Sequence, residues 1–143
     1  MSATEFGLLL GLAIALLFVS GFFSGSEVAL FGLRRVDREQ LTNSGRAVDA
    51  AVLSLLAQPK RLVVSVLIGN EAVNMAIAAI AAYLWVPAWP AAEPWGIAAL
   101  AVLASAATVI LFGEVVPKTL AIQQPISWAR QAARPMALFA LVI

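Results

Sequence analysis

The 143-residue sequence contains no cysteine and no histidine. Zinc sites built from Cys and His, iron–sulfur clusters, disulfides and nucleophiles activated by histidine are therefore excluded. Charge is also scarce. Charged residues make up 12% of the chain against 62% apolar, and the net charge is only +1. A soluble domain carries about 45–50% apolar and about 25% charged residues, so the solvent that suits this chain is lipid. The small net charge leaves no electrostatic footprint for nucleic acid. What remains for chemistry is oxygen, from Ser, Asn, Glu and backbone carbonyls.

Long apolar runs are what the chain does have. The first covers 6–23 and can continue as a helix to Leu33. The second covers 62–86, interrupted by Ser65, Gly69, Asn70, Glu71 and Asn74. The third covers 95–112 and leads into Gly113-Glu114-Val115-Val116-Pro117-Lys118. Each reaches the roughly 18–20 residues that cross a hydrocarbon layer. None alternates strictly, so an all-α membrane protein with three transmembrane helices, about 6–33, 62–86 and 95–116, is expected rather than a barrel. The tail before the first run has no basic residue, and the run is too long for a secretory signal. The chain stops at Ile143 within an apolar stretch, which suggests a piece of something longer.

Lys and Arg are distributed unevenly. Six fall within 34–61, and Lys118, Arg130 and Arg134 follow the third run, whereas the tail and the 86–94 connection have none. The positive-inside rule then places the N-terminus outside a cell membrane, the 34–61 loop in the cytoplasm, the 86–94 turn outside and Lys118 inside, with Trp85, Trp89 and Trp95 as interfacial anchors. Val36, Leu41, Val48, Val52, Leu53, Leu55 and Leu56 recur at near-helical spacing, and Asn43-Ser44-Gly45 signals a turn. A cytoplasmic helical hairpin over 34–61 follows. Residues 125–143 read as a juxtamembrane helix with Trp128, Arg130 and Arg134 near headgroups; a fourth span from about Met136 is the competing reading.

Three carboxylates lack an easy address: Glu27, Glu71 and Glu114. A carboxylate at mid-bilayer costs about 2.5–3.5 kcal/mol on insertion scales, so such residues face protein or water. At 1.5 Å per residue, Asn70 and Asn74 lie roughly 12 and 18 Å outward of Leu62, Ser20 and Ser24 roughly 21 and 27 Å inward of Phe6, and Glu114 roughly 28 Å inward of Trp95. In a layer about 30 Å thick, and with helix tilt and unwinding moving each value by several ångströms, all five fall in or close to the inner half. Asn70 and Asn74 share a helix face bordered by Ser65 and Gly69, either as interhelical glue or as part of a polar site; Glu71 points about 100° away from Asn70. Ser20-Gly21-Phe22-Phe23-Ser24-Gly25-Ser26-Glu27 combines hydroxyls and glycines, which permits either unwinding toward a cavity or close helix packing. Pro117 has no N–H, so it breaks the helix and frees the Gly113 carbonyl, unless the segment merely ends in a Glu–Lys118 pair. Without nitrogen or sulfur donors, this set suits a hard cation: Mg²⁺, Ca²⁺, Mn²⁺ or Na⁺.

Phe22-Phe23-Ser24-Gly25-Ser26-Glu27-Val28-Ala29-Leu30, Val66-Leu67-Ile68-Gly69-Asn70 and Gly113-Glu114-Val115-Val116-Pro117-Lys118 together resemble the transmembrane domain of the CNNM/CorC magnesium transporters, in the expected order and over nearly the whole chain. The resemblance implies a homodimer with three spans per protomer, a cytoplasmic hairpin and a juxtamembrane belt helix. It implies sodium-coupled Mg²⁺ export, with nucleotide-binding CBS domains following the membrane domain. Carried over by position, Ser20, Ser24, Asn70 and Glu114 surround the Mg²⁺, Gly69 offers a carbonyl, and Asn74 is a neighbour or a Na⁺ ligand. The implied protein is a transporter and not an enzyme. Two alternatives use the same residues differently: a membrane anchor that senses ions without transporting them, and an intramembrane hydrolase pairing a first-span Ser with Lys118.

Overall fold

In the computed structural model, which describes residues 2–85 and 94–143, the chain is helical from end to end with no strand among the described residues. Among the described residues seven α-helices follow one another: α1 (Ala3–Phe31), α2 (Arg35–Asn43), α3 (Ala47–Leu56), α4 (Pro59–Trp85), α5 (Pro94–Thr108), α6 (Val116–Gln123) and α7 (Pro125–Val142). A π-helical segment, Val109–Val115, joins α5 to α6. Three stretches are long and apolar enough to cross a membrane: Ala3–Phe31, Pro59–Leu84 and Ala99–Gln123. The connection at 86–93, with Trp89, lies outside the described residues.

Local chemistry sets the ends of these helices. Ser2 caps α1 reciprocally: its Oγ accepts the Glu5 N–H at 3.1 Å, and its own N–H donates to Glu5 Oε2 at 2.7 Å. Asp37 accepts the Arg34 N–H at 2.8 Å at the start of α2. Between α2 and α3 the chain turns at Gly45, whose φ of 65° suits a residue without Cβ.

Lipid-compatible sequence leaves much of the bundle without a buried face. No residue of α1 before Ser20 is buried, whereas Ser20, Gly21, Phe23, Ser24, Gly25, Ser26, Ala29 and Leu30 all are. The core lies at the basic end of the bundle, where Leu30, Leu33, Leu41, Val52, Leu55, Leu62, Val66, Ala129, Ala132 and Met136 pack together. The 34–61 segment is the expected helical hairpin, and Leu41, Val52 and Leu55 face this core. Val36 does not: it sits in the first turn of α2 and is 68% exposed.

Two features hold α7 beneath the bundle. Arg130 donates to Asp49 through both Nε and Nη2, at 2.6 and 2.9 Å, across 81 residues of sequence. Small residues on α1 and α4 then let aromatic side chains approach. A Cβ at Gly25 would lie 2.4 Å from the Trp128 ring, and one at Gly69 would lie 2.5 Å from the Phe23 ring and 3.0 Å from that of Phe139. Met136 and Ala140, where a fourth span was the competing reading, are buried against the protein, and α7 is not among the three span-length apolar helices.

The segment around Pro117 departs from the expected helix break. The helix continues through it by widening. Val116 N–H donates to the Leu111 carbonyl, five residues back, and Pro117 follows within the first turn of α6, where a missing N–H is tolerated. A π turn absorbs one extra residue, so the chain stays helical up to a proline that supplies no N–H.

Candidate ion site

Helix α1 lies against α4, α6, α7 and the π segment, so residues on its buried stretch meet four other parts of the chain. Ser20 is at the centre. Its fully buried Oγ lies 2.7 Å from Asn74 Oδ1 and 3.3 Å from Asn70 Oδ1. The i, i+4 spacing of the two asparagines puts both amides on one face of α4, and an antiparallel neighbour brings Ser20 between them. On the other side stands Gly113: a Cβ there would be 2.9 Å from Ser20 Oγ, so only glycine lets the π segment approach. Gly21 does the same one residue on, where a Cβ would meet the Pro117 ring at 2.8 Å.

Proton counting shows what the cluster lacks. Three oxygens converge, and the Ser20 hydroxyl brings one proton for two amide oxygens. Its donation to Asn74 at 2.7 Å leaves Asn70 Oδ1 at 3.3 Å with a weak share. A half-turn of one amide would turn an NH₂ group inward instead. Adjacent oxygens around an octahedral ion at about 2.1 Å lie about 3.0 Å apart, and about 3.4 Å for a Ca²⁺-like distance of about 2.4 Å. The two separations here bracket the smaller value.

Of the other residues singled out by sequence, Ser24 is fully buried one turn further along α1, and its Oγ has no hydrogen-bond partner among the described residues. Leaving a buried hydroxyl unpaired costs about 1–3 kcal/mol, so a further oxygen or ion is wanted there. Glu114 is half-buried in the π segment beside Gly113 and forms none of the ion pairs among the described residues. Gly69 lies buried one residue before Asn70, with its Cα face against the Phe23 and Phe139 rings; the contact seen there is packing. Glu71 is exposed on α4, away from this cluster. Glu27, one of the three carboxylates without an easy address in the sequence, has its Oε2 3.8 Å from Lys118 Nζ. No Ser hydroxyl among the described residues is hydrogen-bonded to Lys118, so the Ser–Lys arrangement a hydrolase needs is not assembled here.

Sequence reasoning undervalued Gly113, Gly21 and Gly25. Their signal was visible as glycines at intervals inside apolar runs, but nothing in the spacing names the partner that each admits. Among the described residues no three acidic side chains converge, the clustered oxygens of Ser20, Asn70 and Asn74 are neutral, and Glu114 is the residue next to Gly113 in the π segment.

Comparison with known proteins agrees with this architecture. Residues 11–143 match the family model described as the cyclin M transmembrane N-terminal domain. The chain is 33% identical over 109 residues to the inner membrane protein YfjD of Escherichia coli (strain K12), an alignment that covers 75% of this chain and 24% of that protein. It is 31% identical over 121 residues to a DUF21 domain-containing protein of Arabidopsis thaliana, covering 80% of this chain and 20% of the plant protein. The chain thus spans a quarter or less of the length of these relatives.

Proposed function

Because the chain belongs to the cyclin M transmembrane N-terminal domain family and is a multi-pass membrane protein, we propose that it transports Mg²⁺ across the membrane through the Ser20–Asn70–Asn74 site. The observation that carries this reading is the meeting of three oxygens with one proton between them, inside an otherwise apolar bundle. Ser20, Ser24, Asn70 and Glu114 supply the oxygens that replace part of the ion's hydration, with Asn74 as a neighbouring or Na⁺-binding group and Gly69 as a carbonyl source. Mg²⁺ dehydrates reluctantly, so several waters stay on the ion and few protein ligands suffice. Rocking of the spans would expose the site to alternate sides, and inward Na⁺ movement would drive Mg²⁺ outward. The protein performs no covalent chemistry in this scheme.

The reading extends to assembly and orientation. The carboxylate of Glu71 and the alanine-rich stretches on α4 and α5 have exposed members on a single chain, and a bilayer tolerates an uncovered carboxylate poorly. A second copy of the chain would cover them, as small residues allow close helix approach. The basic hairpin faces the cytoplasm by the positive-inside rule, and CBS domains would follow on that side.

Flux decides the matter. Liposomes containing the protein and loaded with Mg²⁺ are expected to release it, faster with Na⁺ outside than with an impermeant cation. Equal release in both would remove sodium coupling, and no release in either would remove transport. A second expectation concerns the π segment. Pro117→Ala restores an N–H and lets an α register re-form, which rotates Gly113 and Glu114 by about 100° relative to α6. Mg²⁺-dependent thermal protection should weaken by about tenfold in the concentration required, the usual scale for disturbing the support of a metal site. Unchanged protection in a chain that has lost its π segment would separate the segment from the site.

A further inference from the structure

Ser20, Ser24 and Glu27 stand at i, i+4 and i+7 on α1, within one narrow face of that helix. Glu27 is therefore about 10 Å from Ser20 along the axis, toward the basic end, with Ser24 between them. Ser24 Oγ is fully buried and unpartnered among the described residues, so the face does not stop being polar after Ser20. At its end, Glu27 Oε2 lies 3.8 Å from Lys118 Nζ, and the two side chains are 39% and 37% exposed. Lys118 belongs to the same run as Gly113, which packs on Ser20, and Pro117, which packs on Gly21. The pair thus caps a line of oxygens leading to the site.

We propose that Glu27 is the inlet ligand for the divalent cation and that Lys118 is a tethered competitor, occupying Glu27 until a divalent ion displaces it. This rests on the transport reading above. A separation of 3.8 Å at partly exposed side chains makes a weakly held pair, as a group that must yield to an arriving ion requires. Charge then sorts the ions. At equal distance Mg²⁺ attracts Glu27 with twice the Coulomb energy of an ammonium, whereas Na⁺ or K⁺ only equals it. The lysine is attached to the protein and always at hand, so a monovalent ion gains nothing by replacing it. Lys118 accordingly keeps monovalent cations off the approach to the site without closing that approach to Mg²⁺.

The test is Mg²⁺ flux into a fluorescent indicator from liposomes carrying the whole chain, measured against Mg²⁺ concentration on the side of the basic hairpin. Lys118→Gln is expected to lower the half-saturating Mg²⁺ concentration by about threefold, the scale of removing one exposed competing charge, and to make flux newly sensitive to K⁺ on that side. Glu27→Gln is expected to raise it by about threefold or more. The double variant should match Glu27→Gln alone, since a competitor without its target has no effect. Lys118→Arg, which keeps the charge, should behave as the parent protein. If Lys118→Gln leaves half-saturation unchanged, or if both single variants shift it in the same direction, the inlet assignment is overturned and the pair is structural. Absence of saturable Mg²⁺ flux in the parent protein would instead overturn the transport reading itself.

Discussion

Glu114→Gln and Asn70→Ala are each expected to reduce Mg²⁺ flux and Mg²⁺-dependent thermal protection by about 10- to 100-fold in the concentration required. Glu114→Gln keeps shape and removes charge. The converging oxygens at Ser20, Asn70 and Asn74 are neutral, so in the proposed scheme the carboxylate next to Gly113 would offset the charge of a dehydrating divalent ion. Asn70→Ala removes the amide oxygen that lies 3.3 Å from Ser20 Oγ and that the single hydroxyl proton serves least well. Neither change is expected to unfold the protein, because Glu114 takes part in no ion pair among the described residues and Asn70 is only partly buried. Protection by Mg²⁺ that persists unchanged in both variants would place the ion elsewhere.

The largest effect on stability is expected from Asp49→Ala. Asp49 is fully buried and bonded by both Nε and Nη2 of Arg130, and it also accepts from the Ser44 hydroxyl. Removing one partner of a buried pair costs about 3–5 kcal/mol because the remaining charge is stranded. The Arg130 side chain is 28% exposed and can reach water, so about 3 kcal/mol is expected. Thermal unfolding in detergent reads this directly, and a loss below about 1 kcal/mol would mean that the pair acts as an ordinary surface ion pair. The hydrogen bonds from Arg130 hold the Asp49 carboxyl down to about 2. A carboxylate depressed in the folded state stabilises above its unfolded value of about 3.9, and that contribution is lost as pH falls from there through about 2. The parent protein should therefore lose stability over that interval, and Asp49→Ala should lose less.

Much of this organisation was legible in the residues. Three apolar runs and a basic segment with helical periodicity led to membrane helices and a hairpin, and the depth of Ser20, Asn70 and Asn74 pointed to oxygens that do meet. The pairing of Asn70 with Asn74 followed from their spacing, since four residues make one helical turn. Other features were out of reach. Ser24 and Glu27 belong to one polar stretch of the first span, yet Ser24 is buried without a hydrogen-bond partner among the described residues and Glu27 meets Lys118 at partial exposure. The expected break at Pro117 proved to be a π turn: a missing N–H announces that the α register fails but not how the chain recovers it.

Composition and period therefore decided by themselves that this protein lives in lipid, where its helices begin, and which oxygens lie at similar depth. These properties are local: hydrophobicity sums along a run, and a helix converts residue number into height. Tertiary structure alone decided which of those oxygens meet. It set Ser20 between two asparagines, let glycines 21, 25 and 113 admit Pro117, Trp128 and Ser20, and joined Asp49 to Arg130. Rotation about each helix axis and the closeness of neighbouring helices depend on every packed contact at once, and no stretch of sequence carries that sum.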